Sequence, residues 1–217
     1  RLARGGDAIT QDYWRCQGEF AVGLFLTGHV PPALQNGRQA AEGCKAQFGA
    51  LHPQTLRLQH NMAAMLHHGG FVADAGFLFQ SVLDGRTQAL GQNHPATLRT
   101  ATALAELLGQ LNRHQEAQVL HKRALQGKQG CYGMTHPESL SSMVSLAWSH
   151  WKVGEQEQAD ALYRRALLIS ESLFGPGHPT TLHCLNNLAA ISKDCGREGE
   201  LDRLLGRRPG CKGQPIR

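Results

Sequence analysis

The sequence has 217 residues, of which 41% are hydrophobic and 18% are charged. This composition is typical of an ordered protein and excludes a chain that is disordered throughout. No run approaches the about 18 consecutive apolar residues of a membrane-spanning helix, so we expect no membrane insertion. More than half of the net charge of +5 comes from residues 197–217, and we interpret residues 207–217 as a basic, solvated tail.

The cysteines and the N-terminal residues indicate the cellular compartment in which the protein is expected. None of the six cysteines belongs to a C-x-x-C pair, and their spacing indicates no disulfide framework. The sequence therefore predicts reduced thiols and a cytoplasmic location. The first residue is Arg1 rather than Met, and no apolar core of a signal peptide follows it. We expect the sequence to come from a larger multidomain parent chain.

A repeat of 42 residues organises the sequence. The dipeptide His-Pro occurs four times at that interval, at His52-Pro53, His94-Pro95, His136-Pro137 and His178-Pro179. A glycine lies three residues before each histidine, and Thr or Ser followed by Leu begins three residues after it. The shared string G-x-x-H-P-x-[ST]-L, kept four times at one period, predicts a tandem structural repeat.

Residues 1–48 form the first predicted repeat, in degenerate form. Four residues still fall at the small-residue and turn positions of the repeat: Ala21, Gly28, Ala33 and Ala40. Thr10-Gln11 takes the place of His-Pro, and Pro31-Pro32 is predicted to begin the second helix.

Four further repeats are predicted at residues 49–90, 91–132, 133–174 and 175–206. In each, proline is the first residue of one helix, and apolar residues follow at helical spacing. That helix is predicted to end at Gly70, Asn112, Gly154 or Gly196, residue types that accept a left-handed conformation. A second helix follows, and the last repeat is truncated by Gly206 and Pro209. The predicted fold is all-α: an α-solenoid of about five antiparallel helix pairs, the first degenerate and the last truncated.

These repeats resemble the tetratricopeptide repeat family, which places small residues where the two helices cross. The corresponding residues are Ala63, Ala105, Ala147 and Ala189. The segment ALLISESLFGPGHP (residues 166–179) and the triplet Asn187-Leu188-Ala189 are similar to the kinesin light chain subclass. The resemblance implies a right-handed superhelix whose concave face binds an extended peptide or a partner domain. It implies a scaffold or adaptor without catalytic residues.

The first helix of each repeat is expected to line that groove, with side chains that point away from the Leu/Ala core. The candidates are Arg57, His60, Asn61, Arg99, Thr102, Glu106, Ser145, Trp148, Trp151, Lys152, Asn186, Asn187 and Lys193. The resemblance implies that Asn61 and Asn187 hold the backbone of a bound peptide. Ala103 and Ser145 occupy the equivalent positions between them, so the series of amides is interrupted.

Charge and aromatic content suggest a class of ligand. Arg57, Arg99, Lys152 and Lys193 would give the groove a positive lining and favour an acidic peptide. Trp148 and Trp151 have two interpretations that the sequence leaves open. They are either aromatic anchors for a ligand or part of the packing against the neighbouring repeat.

Two other functions are weighed against the scaffold. A nucleic-acid-binding α-solenoid would need a stripe of basic residues along the repeats, whereas the charge here is concentrated at the C-terminus. A metal site at His60, His67 and His68 would need a further carboxylate or cysteine ligand. No P-loop, G-x-G-x-x-G, G-x-S-x-G or H-E-x-x-H string occurs, so no catalytic residue, cofactor or metal ligand is predicted.

Overall fold

A computed structural model describes residues 3–197 and, beyond them, residues 199, 203 and 206; its description of side chains begins at residue 12. Within this part of the chain there are nine α-helices and no β-strand. The helices are α1 (Ala3–Leu26), α2 (Val30–Phe48), α3 (Pro53–His68), α4 (Val72–Leu90), α5 (Pro95–Gln110), α6 (His114–Tyr132), α7 (Pro137–Val153), α8 (Gln156–Phe174) and α9 (Pro179–Asp194). The predicted tail, residues 207–217, lies outside the described residues.

The chain forms two compact units, an N-terminal unit of residues Arg1–Leu111 and a C-terminal unit of residues Asn112–Arg217. In the N-terminal unit each helix packs on the next one, and α3 also contacts α1 and α5. In the C-terminal unit α6, α7, α8 and α9 likewise pack in chain order. This sequential packing of helix pairs confirms the predicted all-α solenoid class. The division at residue 111 falls inside the predicted repeat 91–132, and the repeat boundaries stay a prediction.

The Gly, His, Pro and Thr or Ser residues of the G-x-x-H-P-x-[ST]-L string each have a structural role in the turn between repeats. In the second such turn, the Nδ1 atom of His94 accepts a hydrogen bond of 3.2 Å from the backbone N–H of Ala96 at the start of α5. Pro95 follows as the first helical residue. The Thr97 hydroxyl donates a 2.9 Å bond to the carbonyl oxygen of Gly91. The motif therefore caps the new helix and fastens it to the end of the preceding one.

The glycine of the string is required by backbone conformation. Gly91 has a φ of 88°, in the region that side-chain-bearing L-residues rarely adopt. A positive φ also ends the first helix of a repeat, where Gly70 and Gly154 have φ values of 85° and 92°. Asn112 takes this position in the next repeat with a φ of 60°, as expected for a residue whose short amide side chain tolerates the left-handed region.

The first helix differs from the other first helices of the repeats. α1 has 24 residues, whereas α3, α5 and α9 have 16 each. The chain remains helical through Thr10-Gln11, the position that His-Pro occupies in the other repeats. Without proline, no residue here prevents the helix from extending towards the N-terminus. Pro31 and Pro32 lie in the first turn of α2, as predicted.

Small residues allow the helices of each pair to approach closely. Ala75, Ala117 and Ala159 are each 0% exposed, and their methyl groups fill the crossing points without separating the backbones. In the C-terminal unit the core between α7, α8 and α9 includes Leu140, Met143, Tyr163, Leu185, Leu188 and Ile191. This packing fixes the side of α7 and α9 that remains accessible.

Candidate functional site

A cavity of about 470 Å³ lies between α7 and α9 of the C-terminal unit. Its apolar lining includes Leu140, Val144 and Phe174. Its polar lining includes Ser141, Ser145 and His183. The volume falls within the range of ligand pockets, and the mixture of apolar floor and polar groups is typical of ligand-binding sites.

Polar groups of α9 continue this surface. Asn187 lies one turn beyond His183 and is half-buried, and its Nδ2 atom donates a 2.9 Å bond to the carbonyl oxygen of His183. That bond fixes the amide plane and leaves the amide oxygen to accept a hydrogen bond from another donor. Asn186 and Lys193 are exposed on the same helix.

The two tryptophans of α7 are half-buried and pack against the core of the C-terminal unit. The Trp148 ring lies edge-to-face against His114, with ring centroids 5.5 Å apart. The Trp151 Nε1 atom donates a 3.3 Å bond to the Asp194 carboxylate. Both indoles therefore contribute to packing between helices, as one of the two interpretations proposes, and each keeps part of its surface accessible.

A lysine side chain lies close to both tryptophan rings. The exposed Lys152 ammonium lies 5.5 Å from the ring centroid of Trp148 and 5.4 Å from that of Trp151. Cation–π contacts at such exposed sites contribute about 0.5–1 kcal/mol. The ammonium thus stays next to two aromatic faces, which combines positive charge and apolar surface at the end of α7.

The candidates of the N-terminal unit lie on α3 and α5. The Arg57 guanidinium lies 3.7 Å from the Glu19 carboxylate of α1, and its Nε atom donates a 3.2 Å bond to Gln54. Glu19 lies 42 residues before Asn61, so an acid occupies the groove-amide position of the first repeat. The sequence contained this signal, because the repeat period applied to Asn61 leads directly to Glu19.

His60 contacts neighbouring helices. Its Nδ1 atom is 3.4 Å from the Thr100 hydroxyl of α5, and its ring centroid is 5.5 Å from that of Phe79 of α4. Burial, with Arg86 and Arg99 nearby, lowers the pKa of His60 to about 4. A neutral, half-buried imidazole between three helices contributes to packing, and the role of His60 in the groove stays a prediction.

Arg86 of α4 is not among the residues that the sequence singled out. It is buried, with 5% of its surface exposed. Its guanidinium donates to the Ala96 carbonyl oxygen at 2.8 Å, the Thr100 hydroxyl at 2.7 Å and the Leu56 carbonyl oxygen at 3.2 Å. Burial and then the charge of Arg99 lower its pKa to about 10. Arg86 therefore links α4 to both α3 and α5, and its guanidinium keeps its charge at neutral pH.

The other predicted groove residues of the N-terminal unit are Asn61, Arg99, Thr102 and Glu106. Asn61 is half-buried on α3, and Glu106 and Arg99 are exposed on α5. The Thr102 hydroxyl donates a 3.0 Å bond to the Leu98 carbonyl oxygen of its own helix. α3 and α5 are in contact, so they present these side chains on neighbouring helices.

The histidines of α3 contact one another and α5. The His67 Nε2 atom lies 2.7 Å from the Gln110 side-chain oxygen, and the His67 ring stacks on His68 with centroids 5.3 Å apart. Among the described residues, no group of three or more His, Cys, Asp or Glu side chains is placed to hold a metal ion. In the same part of the chain, no helix has the length and apolarity that crossing a membrane requires.

Family models for the tetratricopeptide repeat match residues 54–129 and residues 139–180. Together these ranges cover slightly more than half of the chain, and they include α4, α5 and α8 completely and most of α3, α6 and α7. No curated protein is detectably similar in sequence.

Solved structures with the same fold include a putative kinesin light chain with nearly identical TPR-like repeats from Podosopora anserina. It is 24% identical, with a TM-score of 0.81 over 91% of this chain and 93% of that one. BtubC (BKLC) from P. vanneervenii is 19% identical, with a TM-score of 0.81 over 100% and 89% of the two chains. A Rap protein complexed with Competence and Sporulation Factor is 13% identical, with a TM-score of 0.65 over 89% and 52%.

Tetratricopeptide repeats are in general protein-interaction modules, which agrees with the accessible helix faces described above. The repeat matches, the helix pairs in sequence and the capped His-Pro turns lead to one assignment. The chain belongs to the tetratricopeptide repeat family and has a kinesin light chain-like fold.

Proposed function

We propose that this protein is a non-catalytic scaffold that binds an extended peptide, or an extended segment of a partner domain, across α7 and α9. The observation that carries the proposal is the cavity of about 470 Å³ between these helices. A cavity with an apolar floor and hydroxyl groups at its edge accepts one apolar side chain, while the adjacent backbone forms hydrogen bonds. Ser145 and Asn187 are the groups proposed to bond that backbone.

The surrounding charges define the ligand further. Lys152 and Lys193 are exposed in the C-terminal unit. Exposed cations favour acidic partners mainly by accelerating association and by excluding basic competitors. We therefore expect a ligand with an aromatic or aliphatic anchor residue flanked by Asp or Glu.

Two further points support the proposal. The Rap protein of similar fold was solved together with Competence and Sporulation Factor, so helix-pair arrays of this kind can hold a second molecule. The alternative of nucleic-acid binding is less well supported, because Arg15 and Arg57 both lie within 4.0 Å of Glu19. A cytoplasmic location, supported by the cysteine pattern, remains part of the proposal.

A peptide selection against the intact chain tests the proposal. Random peptides displayed on phage should yield sequences with an apolar anchor next to acidic residues, and calorimetry should give their dissociation constants. Ser141→Arg places a long cation at the cavity and should weaken binding at least about tenfold. Ser172→Arg, the same change at an exposed position of α8, is the matched control.

Two results would remove the proposal. One is a peptide whose affinity is unchanged by Ser141→Arg, because its binding would then not involve the α7–α9 cavity. The other is an oligonucleotide that binds more tightly than any selected peptide, with an affinity that falls steeply as salt is added.

A further inference from the structure

A second cavity, of about 350 Å³, lies in the N-terminal unit between α2, α3 and α4. Ala41, Met62, Leu66 and Leu78 form its apolar floor. Met62 and Leu66 are at most 7% exposed, so they belong to the core as well as to the cavity floor. None of the predicted groove residues lines this cavity, so it is a separate surface.

An apolar side chain projects next to this recess. Phe77 of α4 lines the cavity and is 79% exposed. Single exposed apolar residues are common on protein surfaces. Here, however, a projecting phenyl ring lies beside an apolar recess on the same face. The face therefore has both a protruding side chain (the knob) and a cavity that could receive one (the hole).

The charged residues that line the cavity are also largely separated by sign, with cations on the α2 wall and an anion on the α4 wall. Arg38 and Lys45, two exposed cations, line the cavity from α2, and the exposed carboxylate of Asp74 lines it from α4. In the part of the chain that the structure describes, none of these three side chains forms an ion pair. Glu42 lies between the two cations on α2, so the cationic character of this wall is moderate.

We propose that this face, formed by Arg38, Lys45, Met62, Asp74 and Phe77 and called the Phe77 face below, is the contact surface of a symmetric dimer. A two-fold contact brings the same patch of two copies together, so the patch must be complementary to itself. The Phe77 face meets this condition in shape and in charge. Phe77 of each copy enters the cavity of the other, and the cations of α2 lie opposite Asp74 of the other copy.

The paired features decide between a second copy and an unrelated partner. A contact with an unrelated partner does not require complementary features on one patch, whereas a two-fold contact does. The Phe77 face has both members of each pair on one patch. The proposal is independent of ligand binding at α7 and α9, because it concerns other helices.

The oligomeric state of the intact chain tests the apolar contact. Light scattering after size exclusion and sedimentation equilibrium should show a concentration-dependent dimer. Phe77→Asp should raise the dimer dissociation constant at least about tenfold, since it places a carboxylate in an apolar recess. Val119→Asp, at the equivalent position of the next repeat and 66% exposed, is the matched control and should leave the dissociation constant unchanged.

A charge exchange tests the arrangement of the walls. The variant Arg38→Glu/Lys45→Glu and the variant Asp74→Lys should each dimerise more weakly than the parent chain, because equal charges then face each other. An equimolar mixture should recover dimers, since at positions 38, 45 and 74 one variant now carries only anions and the other only cations. All substituted side chains are exposed, and circular dichroism should show unchanged helix content.

Three outcomes would overturn the proposal. The first is a chain that stays monomeric at all concentrations, which would leave the face open for a different partner. The second is a dimer that Phe77→Asp does not weaken. The third is a pair of charge variants that fail to recover dimers on mixing.

Discussion

The Ser139 hydroxyl donates a 2.7 Å hydrogen bond to the carbonyl oxygen of Gly133, and this bond ties the start of α7 to the end of α6. Ser139 is 0% exposed, whereas its neighbour Ser141 is exposed. The same relation holds between Thr181 and Gly175 at 2.9 Å. A hydroxyl at this point of the repeat is therefore a structural link between successive helix pairs.

Removing the hydrogen bond between Ser139 and Gly133 should destabilise the fold. Ser139→Ala leaves the Gly133 carbonyl without this donor, and we expect the free energy of unfolding to fall by about 1–2 kcal/mol. Ser141→Ala, two residues away on the accessible surface, should change it by less than about 0.5 kcal/mol. Urea denaturation followed by circular dichroism measures both values, and equal effects of the two substitutions would contradict the proposed role.

The turn chemistry could be predicted from the sequence because each part of it is local. Gly91, His94, Pro95 and Thr97 act within one connection, and a period of 42 residues repeats that connection with its chemistry. Glycine supplies the positive φ, proline starts the helix and the histidine caps it. Periodicity therefore predicted the helix pairs and the places where they end.

The candidate sites were predicted less completely because they depend on distances between repeats. Arg86 is polar, yet its guanidinium finds three acceptors from α3 and α5 and becomes buried. Phe77 and Val119 occupy equivalent repeat positions, and the period alone cannot reveal which one borders a cavity. For Trp148 and Trp151, helical spacing fits both packing and ligand contact, and only the contacts with His114 and Asp194 show the packing partners.

The charge of Arg86 should control the ionisation of His60. Burial is the largest cause of the lowered pKa of His60, and the charges of Arg86 and Arg99 follow in that order. Arg86→Met should raise this pKa from about 4, and Arg99→Met should raise it less. In both variants burial should keep it below the ordinary value of 6.5.

Titration of the imidazole C–H signals by NMR measures these shifts. Arg38→Met, which removes an exposed arginine of α2 in the same unit, should leave the His60 signal unchanged. A larger effect of Arg99→Met than of Arg86→Met would show that the buried guanidinium is not the nearer charge.

His121 of α6 should make stability depend on pH. It is 2% exposed, and burial followed by the charge of Lys128 lowers its pKa from 6.5 to about 4. Between these two values the unfolded chain binds a proton that the folded chain does not, so stability falls as the pH drops from 6.5 to about 4. The contribution, on the order of 3 kcal/mol, is fully present above pH 6.5.

His121→Phe isolates this contribution. Phe79 and Tyr163 are fully buried aromatic residues at the equivalent repeat positions, so an aromatic ring fits the site. The Nδ1 atom of His121 is buried without a hydrogen-bond partner in the described chain. We therefore expect Phe to preserve or increase stability at pH 7. Urea denaturation at a series of pH values should show a flatter profile for the variant, and parallel profiles would contradict the assignment.

A substitution of Asn187 should weaken ligand binding while leaving the stability of the fold nearly unchanged. Among the described residues, its Nδ2 atom bonds only to the carbonyl oxygen of His183 in its own helix, at 2.9 Å. Asn187→Ala should therefore change the free energy of unfolding by less than about 0.5 kcal/mol. Loss of its hydrogen bond to a ligand backbone should weaken the binding of a selected peptide by about 1 kcal/mol, which is roughly fivefold.

Asn36 of α2 supplies a control with the same local chemistry. Its Nδ2 atom bonds to the Pro32 carbonyl oxygen at 2.8 Å, also four residues earlier in the same helix. Asn36→Ala should match Asn187→Ala in stability and leave peptide affinity unchanged, because α2 does not line the α7–α9 cavity. If calorimetry showed equal affinities for both variants, Asn187 would have only the helix-internal role. The amide position that the repeat shares with Asn61 would then carry no ligand contact in the C-terminal unit.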